Sequence, residues 1–403
     1  MRRRSRGQSD GSRVAGSLAA GVVLLAVAGL VAEGAARIAF PRWKEFNADR
    51  VQDKTDIAGL GAVTIGRAGF DGWIAQPNGD FRTHIQINAA GWRADEPAEA
   101  ADGRLWVLGE SFAFGWGVEA EETFGAVAAR TLGLPVYGVA SPAADLAVDR
   151  ALLARMPATV HPRAVVLGLS VETDLRDYDH AVTAEPPRTL ATRLHDARET
   201  VAKRSALYTL VSQLVARVDG SNNAPAAAPV AALPQTVDEG RIAAILESSL
   251  ARIGQIRAAL PAEVPLVVLV IPARDDVRTG DATYRALRLG VVERLTAQGI
   301  AVVDPFDALA AVGEAKVHFP HDGHWSAQGH RLAGEALART LAPLVPAPAP
   351  AAIPVVVPVP VAAPVAAPAP APAPVEAPAA PVTAPAPVVT PAPAAAPAPD
   401  AKP

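Results

Sequence analysis

The sequence predicts a three-layer α/β/α domain built on a parallel sheet of about five strands. Two observations carry this. Five short runs are almost continuously apolar, and the segments between them place apolar residues at three- and four-residue spacing with charges in the gaps. A run without polar interruption is what a strand buried on both faces of a parallel sheet needs. The strand candidates are "RLWVLG" (104–109), "LPVYGVA" (134–140), "RAVVLGLS" (163–170), "VPLVVLVIP" (264–272) and "GIAVVD" (299–304). Helix candidates between them include "EETFGAVAARTL", "DLAVDRALLARM", "EGRIAAILESSLARIGQIRAAL" and "TYRALRLGVVERLTAQ". In such a sheet the site is expected beyond the carboxyl ends of the strands.

The ends of the chain differ from this middle. Residues 1–13, "MRRRSRGQSDGSR", carry five arginines and one aspartate and are expected to stay in the cytoplasm. Val14–Ala32 then runs for 19 residues without a charge. At about 1.5 Å per residue this crosses a hydrocarbon core of about 30 Å, so a transmembrane signal-anchor helix is expected over 14–38. A cleaved signal peptide is the alternative, but its apolar core is ordinarily shorter. Residues 39–103 read as a juxtamembrane segment with short strands, as in "THIQIN". The α/β domain spans 104–345, with an Ala/Pro-rich surface insertion at 218–237. Residues 346–403 are almost only Ala, Pro and Val and predict a disordered, locally polyproline-II tail. With this topology the domain lies in the periplasm or outside the cell, and the first helix meets the lipid bilayer.

Composition narrows the function classes. The chain has 403 residues, a formal net charge of −4 and no cysteine. A slightly acidic protein lacks the basic face that nucleic acid requires. Disulfides, thiolate catalysis and cysteine metal sites are excluded.

Two motifs carry chemistry. In "VLGESFAFGWGVEAEETF" (107–124), Ser111 directly follows the first strand and precedes a helix, so it projects into the crevice at the strand ends. A helix-cap role is the plainer alternative. In "HFPHDGHWSAQGHRLAGEAL" (318–337), Asp322 and His324 sit in a loop after the last strand. A histidine base needs a carboxylate to hold its tautomer, and two residues in one loop can meet if the backbone turns. His318, His321, His324 and His330 with Asp322 also have spacing compatible with zinc. A serine partner accounts for the Asp–His pair better, so neither metal nor cofactor is expected. His330 is expected to pack at the helix start, and "ARDD" (273–276) reads as a solvated loop.

These two motifs together resemble the SGNH (GDSL-type) hydrolase superfamily. "GESFAFGWGVEAEETF" is similar to its first block and "DGHWSAQGH" to its last. "INAAGWRADE" (87–96) and "AEGAARIAFPRW" (32–43) are similar to the lead-in of membrane-anchored bacterial members, and "VVLGLSVETDLRD" (165–177) to the third block. The resemblance covers roughly residues 14–345 and implies a flavodoxin-like sheet and serine-dependent acyl-ester chemistry. It makes Ser111 the nucleophile, His324 the base and Asp322 its orienting carboxylate. It places the oxyanion donors on the Ser111 backbone N–H, on Ala143 (or Gly138) in the second block, and on Thr173 where the family has asparagine. Glu110 stands where the family usually has Asp. Trp116, Asp174 and Trp325 are weaker candidates for the substrate pocket, with a cap or turn role the plainer one for Asp174 and packing for the tryptophans.

Three functions follow as expectations. The first is an extracytoplasmic serine esterase cleaving acyl, and by expectation O-acetyl, esters of a small molecule or polysaccharide. The second is an O-acyltransferase acting on envelope or exported polysaccharide, working with envelope-polysaccharide biosynthesis partners; "DGHW" is similar to the motif of alginate acetylation proteins. The third is a carbohydrate-binding scaffold that has lost its chemistry.

Overall fold

The structure, a computed structural model, describes residues 8–179, 200, 204–219 and 238–345. The chain divides into two units, Met1–Ala351 and Ala352–Pro403, and the second lies wholly outside the described residues. So do the other residues of the Ala/Pro-rich tail and most of the Ala/Pro-rich insertion.

Every predicted strand of the α/β domain is present. They are β5 (Leu105–Gly109), β6 (Val136–Ala140), β7 (Ala164–Ser170), β8 (Leu266–Ile271) and β9 (Ala301–Val303), all parallel, in the order β6-β5-β7-β8-β9. This is the 2-1-3-4-5 order of a flavodoxin-like sheet, and its crevice opens between the carboxyl ends of β5 and β7. Alternate strand residues feed two cores. Trp106, Leu108, Leu167 and Val268 pack under helices Leu146–Leu153, Glu239–Ala258 and Ala282–Ala297. Val107, Val166 and Leu269 pack under helices Phe124–Leu132 and Ala327–Leu341. Helices on both faces make the three layers.

Residues 39–103 hold two antiparallel hairpins, β1 (Gln52–Ile57) with β2 (Gly61–Gly66), and β3 (Asp71–Ala75) with β4 (Arg82–Gln86). "THIQIN" falls on and just past β4. Both hairpins join the α/β domain. The Ser141 hydroxyl, just after β6, donates to the Thr64 carbonyl on β2 at 2.7 Å. Arg93 sends its guanidinium to the carbonyls of Phe114 (2.9 Å), Val118 (2.7 Å) and His84 (3.2 Å). Burial depresses that guanidinium to about 10.

The first helix runs Gln8–Ala39, and its stretch Ser17–Ala39 is long and apolar enough to cross a membrane. Leu24 and Leu25 on it are 71% and 75% exposed. Its far end is not free. The Glu33 carboxylate accepts from the Ser205 hydroxyl (2.7 Å) and from the backbone N–H groups of Ala206 (2.9 Å) and Leu207 (3.0 Å). It thereby caps a helix over Ala206–Asp219 that the sequence did not announce. Ala36, Trp43 and Ala206 bury one another at this junction.

Candidate active site

Strand β5 ends on a turn that only glycine accommodates. Gly109 has φ of 135°, and a Cβ there would meet the Gly168 carbonyl at 2.8 Å and Ala113 at 2.9 Å. Glu110 follows, and its carboxylate caps a single helical turn over Ser111–Phe114 by accepting from the Phe112 N–H at 3.1 Å. Ser111 is the first residue of that turn, so its N–H has no helical carbonyl to bond. Its side chain faces the crevice and is 7% exposed.

The second half of the site is the loop between the short helix Glu314–Val317 and helix Ala327–Leu341. A bridge between His318 and Trp325 closes its base, and the Phe319 N–H donates to the His324 carbonyl at 3.0 Å. This turn folds Asp322 back onto His324. The His324 backbone N–H donates to Asp322 Oδ1 at 3.0 Å, and Nδ1 of the ring bonds the same oxygen. Its Nε2 lies 2.6 Å from Ser111 Oγ. Ser111 therefore stands in one hydrogen-bonded row with His324, 213 positions away, and Asp322. Nδ1 against a carboxylate carries the ring proton, which leaves Nε2 as an acceptor.

The Ser111 hydroxyl also bonds the Glu110 carboxylate. It has one hydrogen to give and two acceptors, Glu110 and His324. Burial opposes charge on the His324 imidazole, but Asp322, by charge and hydrogen bond, together with Glu110 and Glu172, outweighs it and raises the group above its ordinary value. Burial likewise opposes charge on Asp322, and His324 and the Gln76 amide hold its carboxyl below its ordinary value. Beneath the turn lie two further carboxyls, Asp149 and Asp174, both fully buried. Burial first, then the nearby Glu110, pushes both well up.

The remaining sequence candidates fall into place unevenly. Thr173 follows β7 at the same sheet edge; its N–H donates to Ser170 Oγ at 3.3 Å, while its buried hydroxyl has no partner among the described residues. Ala143 is exposed in the loop after β6, again at this edge. Gly138 is paired with Val107 inside β6, so it offers no donor to the crevice. Trp116 is half-buried, its ring 6.3 Å from that of His324. Trp325 and Asp174 are corrected as pocket residues. Trp325 is fully buried against Phe112, Phe124 and His330. Asp174 turns inward to accept from the Ser170 N–H at 2.8 Å.

The four histidines of the last motif go to separate partners. His321 bonds Asp80 at 2.8 Å, His324 the serine and Asp322, and His330 Nδ1 accepts from the Phe124 N–H at 3.2 Å while its ring stacks on Phe124. His318 is buried beneath the loop. The "ARDD" segment is not solvated as expected. Asp276 is buried in an ion pair with Arg288 at 2.7 Å, and Arg288 also holds Asp304 at 2.5 Å. Arg274 reaches the site loop, donating to the carbonyls of Asp322 and Pro320 at 3.2 Å each and to Glu314 at 2.5 Å. Gln76 Nε2 donates to Asp322 Oδ2 at 2.9 Å. Neither Arg274 nor Gln76 stood out in the sequence.

Residues 235–355 match the model of the SGNH hydrolase-like domain of acetyltransferase AlgX. That stretch contains Asp322 and His324 but not Ser111. No curated protein matches the sequence. Among solved structures, the chain is similar to a lipase/acylhydrolase from Enterococcus faecalis, at 13% identity and a TM-score of 0.38 over 61% of this chain and 100% of that one. It is also similar to a member of the lipolytic protein G-D-S-L family from Veillonella parvula, at 10% identity and a TM-score of 0.35 over 59% and 96%. A third is a carbohydrate esterase family 2 enzyme plus carbohydrate binding domain from Corynascus thermopiles (Myceliophthora fergusii), at 16% identity and a TM-score of 0.35 over 62% and 68%. The flavodoxin-like strand order and the serine at the end of β5 agree with the domain model matched across the Asp–His loop, and residues 235–355 carry an SGNH hydrolase-like domain.

Proposed function

We propose that this protein is an extracytoplasmic serine esterase that cleaves O-acyl esters through Ser111, His324 and Asp322. The observation that carries the reading is the 2.6 Å contact between His324 Nε2 and Ser111 Oγ, with Nδ1 on the Asp322 carboxylate. Ser111 Oγ attacks the ester carbonyl and its proton passes to His324 Nε2. Asp322 stabilises the resulting imidazolium. The leaving alcohol takes that proton, and the acyl group stays on Ser111. Water then attacks the acyl-enzyme, gives its proton to His324, and the carboxylic acid departs as Oγ is reprotonated. The Ser111 N–H, with donors from Ala143 and Thr173, holds the oxyanion; the Thr173 hydroxyl, which has no partner among the described residues, supports that assignment.

A second reading replaces water by a sugar hydroxyl and makes the protein an O-acyltransferase of envelope polysaccharide. The match to the acetyltransferase AlgX domain favours it. Both readings share the first half-reaction. Incubating the full chain in detergent with p-nitrophenyl acetate, with and without a polysaccharide acceptor, separates them. Steady release without acceptor is expected for the esterase, and release only with acceptor for the transferase. No release, together with no labelling of Ser111 by a fluorophosphonate, overturns both and leaves the scaffold.

The location belongs to the same proposal: the helix ending at Ala39 is a retained single-pass anchor and the arginine-rich start stays inside. A reporter that works only outside the cytoplasm should be active when fused after residue 345 and silent after residue 12. The reverse pattern refutes this topology.

A further inference from the structure

The juxtamembrane hairpin β3–β4 does more than cover the sheet. Three of its residues touch the loop that carries Asp322 and His324. Gln76 Nε2 donates to Asp322 Oδ2 at 2.9 Å. The Asp80 carboxylate takes the His321 backbone N–H and the His321 ring, each at 2.8 Å. Phe81 packs on Phe319 with ring centroids 5.2 Å apart. Gln76 is itself fixed, because its N–H closes the hairpin onto the Phe81 carbonyl at 3.0 Å.

The two oxygens of Asp322 are thereby divided. Oδ1 serves His324, from both backbone and ring. Oδ2 faces away from the histidine and would be free to rotate or take a proton without a donor. The only donor the described residues give it comes from Gln76, 246 positions earlier in the chain. An uncharged amide in that place stabilises the ionised carboxylate without adding charge beside the imidazole.

We infer that Gln76 is a positioning residue for the Asp322–His324 pair, and that the hairpin holding it, through Asp80 and Phe81 as well, is a built part of the site. This rests on the proposed serine reaction for its catalytic meaning but not for its test. The charged and titratable groups facing the pair are Glu110 and Glu172 from the ends of β5 and β7, Arg274 from beyond β8, His318 and His330 beneath the loop, and Asp80 on the hairpin. None of them changes in a Gln76 variant.

The test uses the full chain in detergent, labelled with ¹⁵N-histidine, with the His324 resonance assigned by its loss in His324→Gln. Gln76→Glu is nearly isosteric and puts a second negative group against Asp322. It should raise the midpoint of His324 titration by about one pH unit. Gln76→Leu removes the donor alone and should raise it less. In p-nitrophenyl acetate hydrolysis, both should lower kcat about tenfold with KM little changed, and the acid limb of the pH profile should move with the NMR midpoint. Asp80→Asn, which loosens the loop without touching Asp322 and removes a negative charge, should lower kcat without raising the midpoint. A purely structural hairpin would reduce the folded fraction and scale the whole profile without moving it. If the His324 midpoint is the same in wild type, Gln76→Glu and Gln76→Leu, the inference is wrong. If the midpoint moves while wild type neither hydrolyses ester nor labels at Ser111, the positioning role stands and the esterase reading fails.

Discussion

The two halves of the site are held by different means. The Ser111 turn, Gly109–Val118, is specified mostly by its neighbours in sequence: the positive φ of Gly109, the cap from Glu110, and the left-handed Gly115 that ends the one-turn helix. Arg93 is its main distant support. The loop from His318 to Trp325 contains no regular structure of its own. It is shaped by Gln76 and Asp80 from one side and Arg274 from the other. A strand end gives a reacting group a rigid base, whereas a loop must borrow rigidity through long-range bonds. The serine side should therefore tolerate changes far from it, and the histidine side should not.

The sharpest way to break this comparison is at the row itself. Ser111→Ala should remove esterase activity almost entirely while the protein stays folded, and Asp322→Asn should cost about 10⁴-fold in kcat. Because the groups act as a unit, Ser111→Ala with Asp322→Asn should be little worse than Ser111→Ala alone. Kinetics in which the two losses multiply would mean that serine and loop work separately.

A second contrast is in acid stability, which the loop side should dominate. His318 is lowered to about 4, chiefly by burial and then by Arg274. His330 is lowered to about 3, by burial and then by His324 and Arg93. Both stay neutral in the folded protein when the unfolded chain, titrating near 6.5, has begun to take up protons. The contribution of these two histidines is thus complete above about pH 6.5 and falls as pH drops toward about 4. Each histidine should cost about 2 kcal/mol between pH 7 and pH 5. Thermal or urea melts across that range should show it. His330→Asn keeps an acceptor near the Phe124 N–H and should remove about half of the pH dependence; an unchanged slope would show that the acid-sensitive groups lie elsewhere.

The smallest expected effect is a gain. Thr173→Asn lengthens the donor arm at the end of β7 and should raise kcat about tenfold with little change in KM. The gain should vanish in Ser111→Ala. A fall in activity would mean that the threonine hydroxyl already has its own task in the crevice.

The sequence made one half of this comparison legible. All five strands of the α/β domain were readable because burial on both faces leaves an unbroken apolar run. Ser111, Asp322 and His324 were readable because a strand-to-helix turn and a short Asp–His spacing are local patterns. Gln76, Asp80 and Arg274 were not, since each acts on a residue tens to hundreds of positions away and none belongs to a repeating pattern. Arg274 and Asp276 looked solvated for the same reason: their partners, Glu314 and Arg288, come from other elements. Trp325 directly follows His324 in sequence yet points into the core, because the bridge to His318 turns its side chain inward. Helix Ala206–Asp219 was missed because its start is capped not by a neighbour but by Glu33.

That last contact has a mechanical meaning. Two helices joined by a slack leash swing independently of one another. Glu33 bonds three donors of the Ser205–Leu207 segment, so the first helix and helix Ala206–Asp219 share a fixed joint at that point. Whatever holds the first helix then also sets the tilt of the second, as a bracket sets a strut. Cutting the chain near residues 35–40 would remove the carboxylate and open the joint. A Glu33→Gln change would weaken the joint while leaving both helices intact, turning a strut back into a leash.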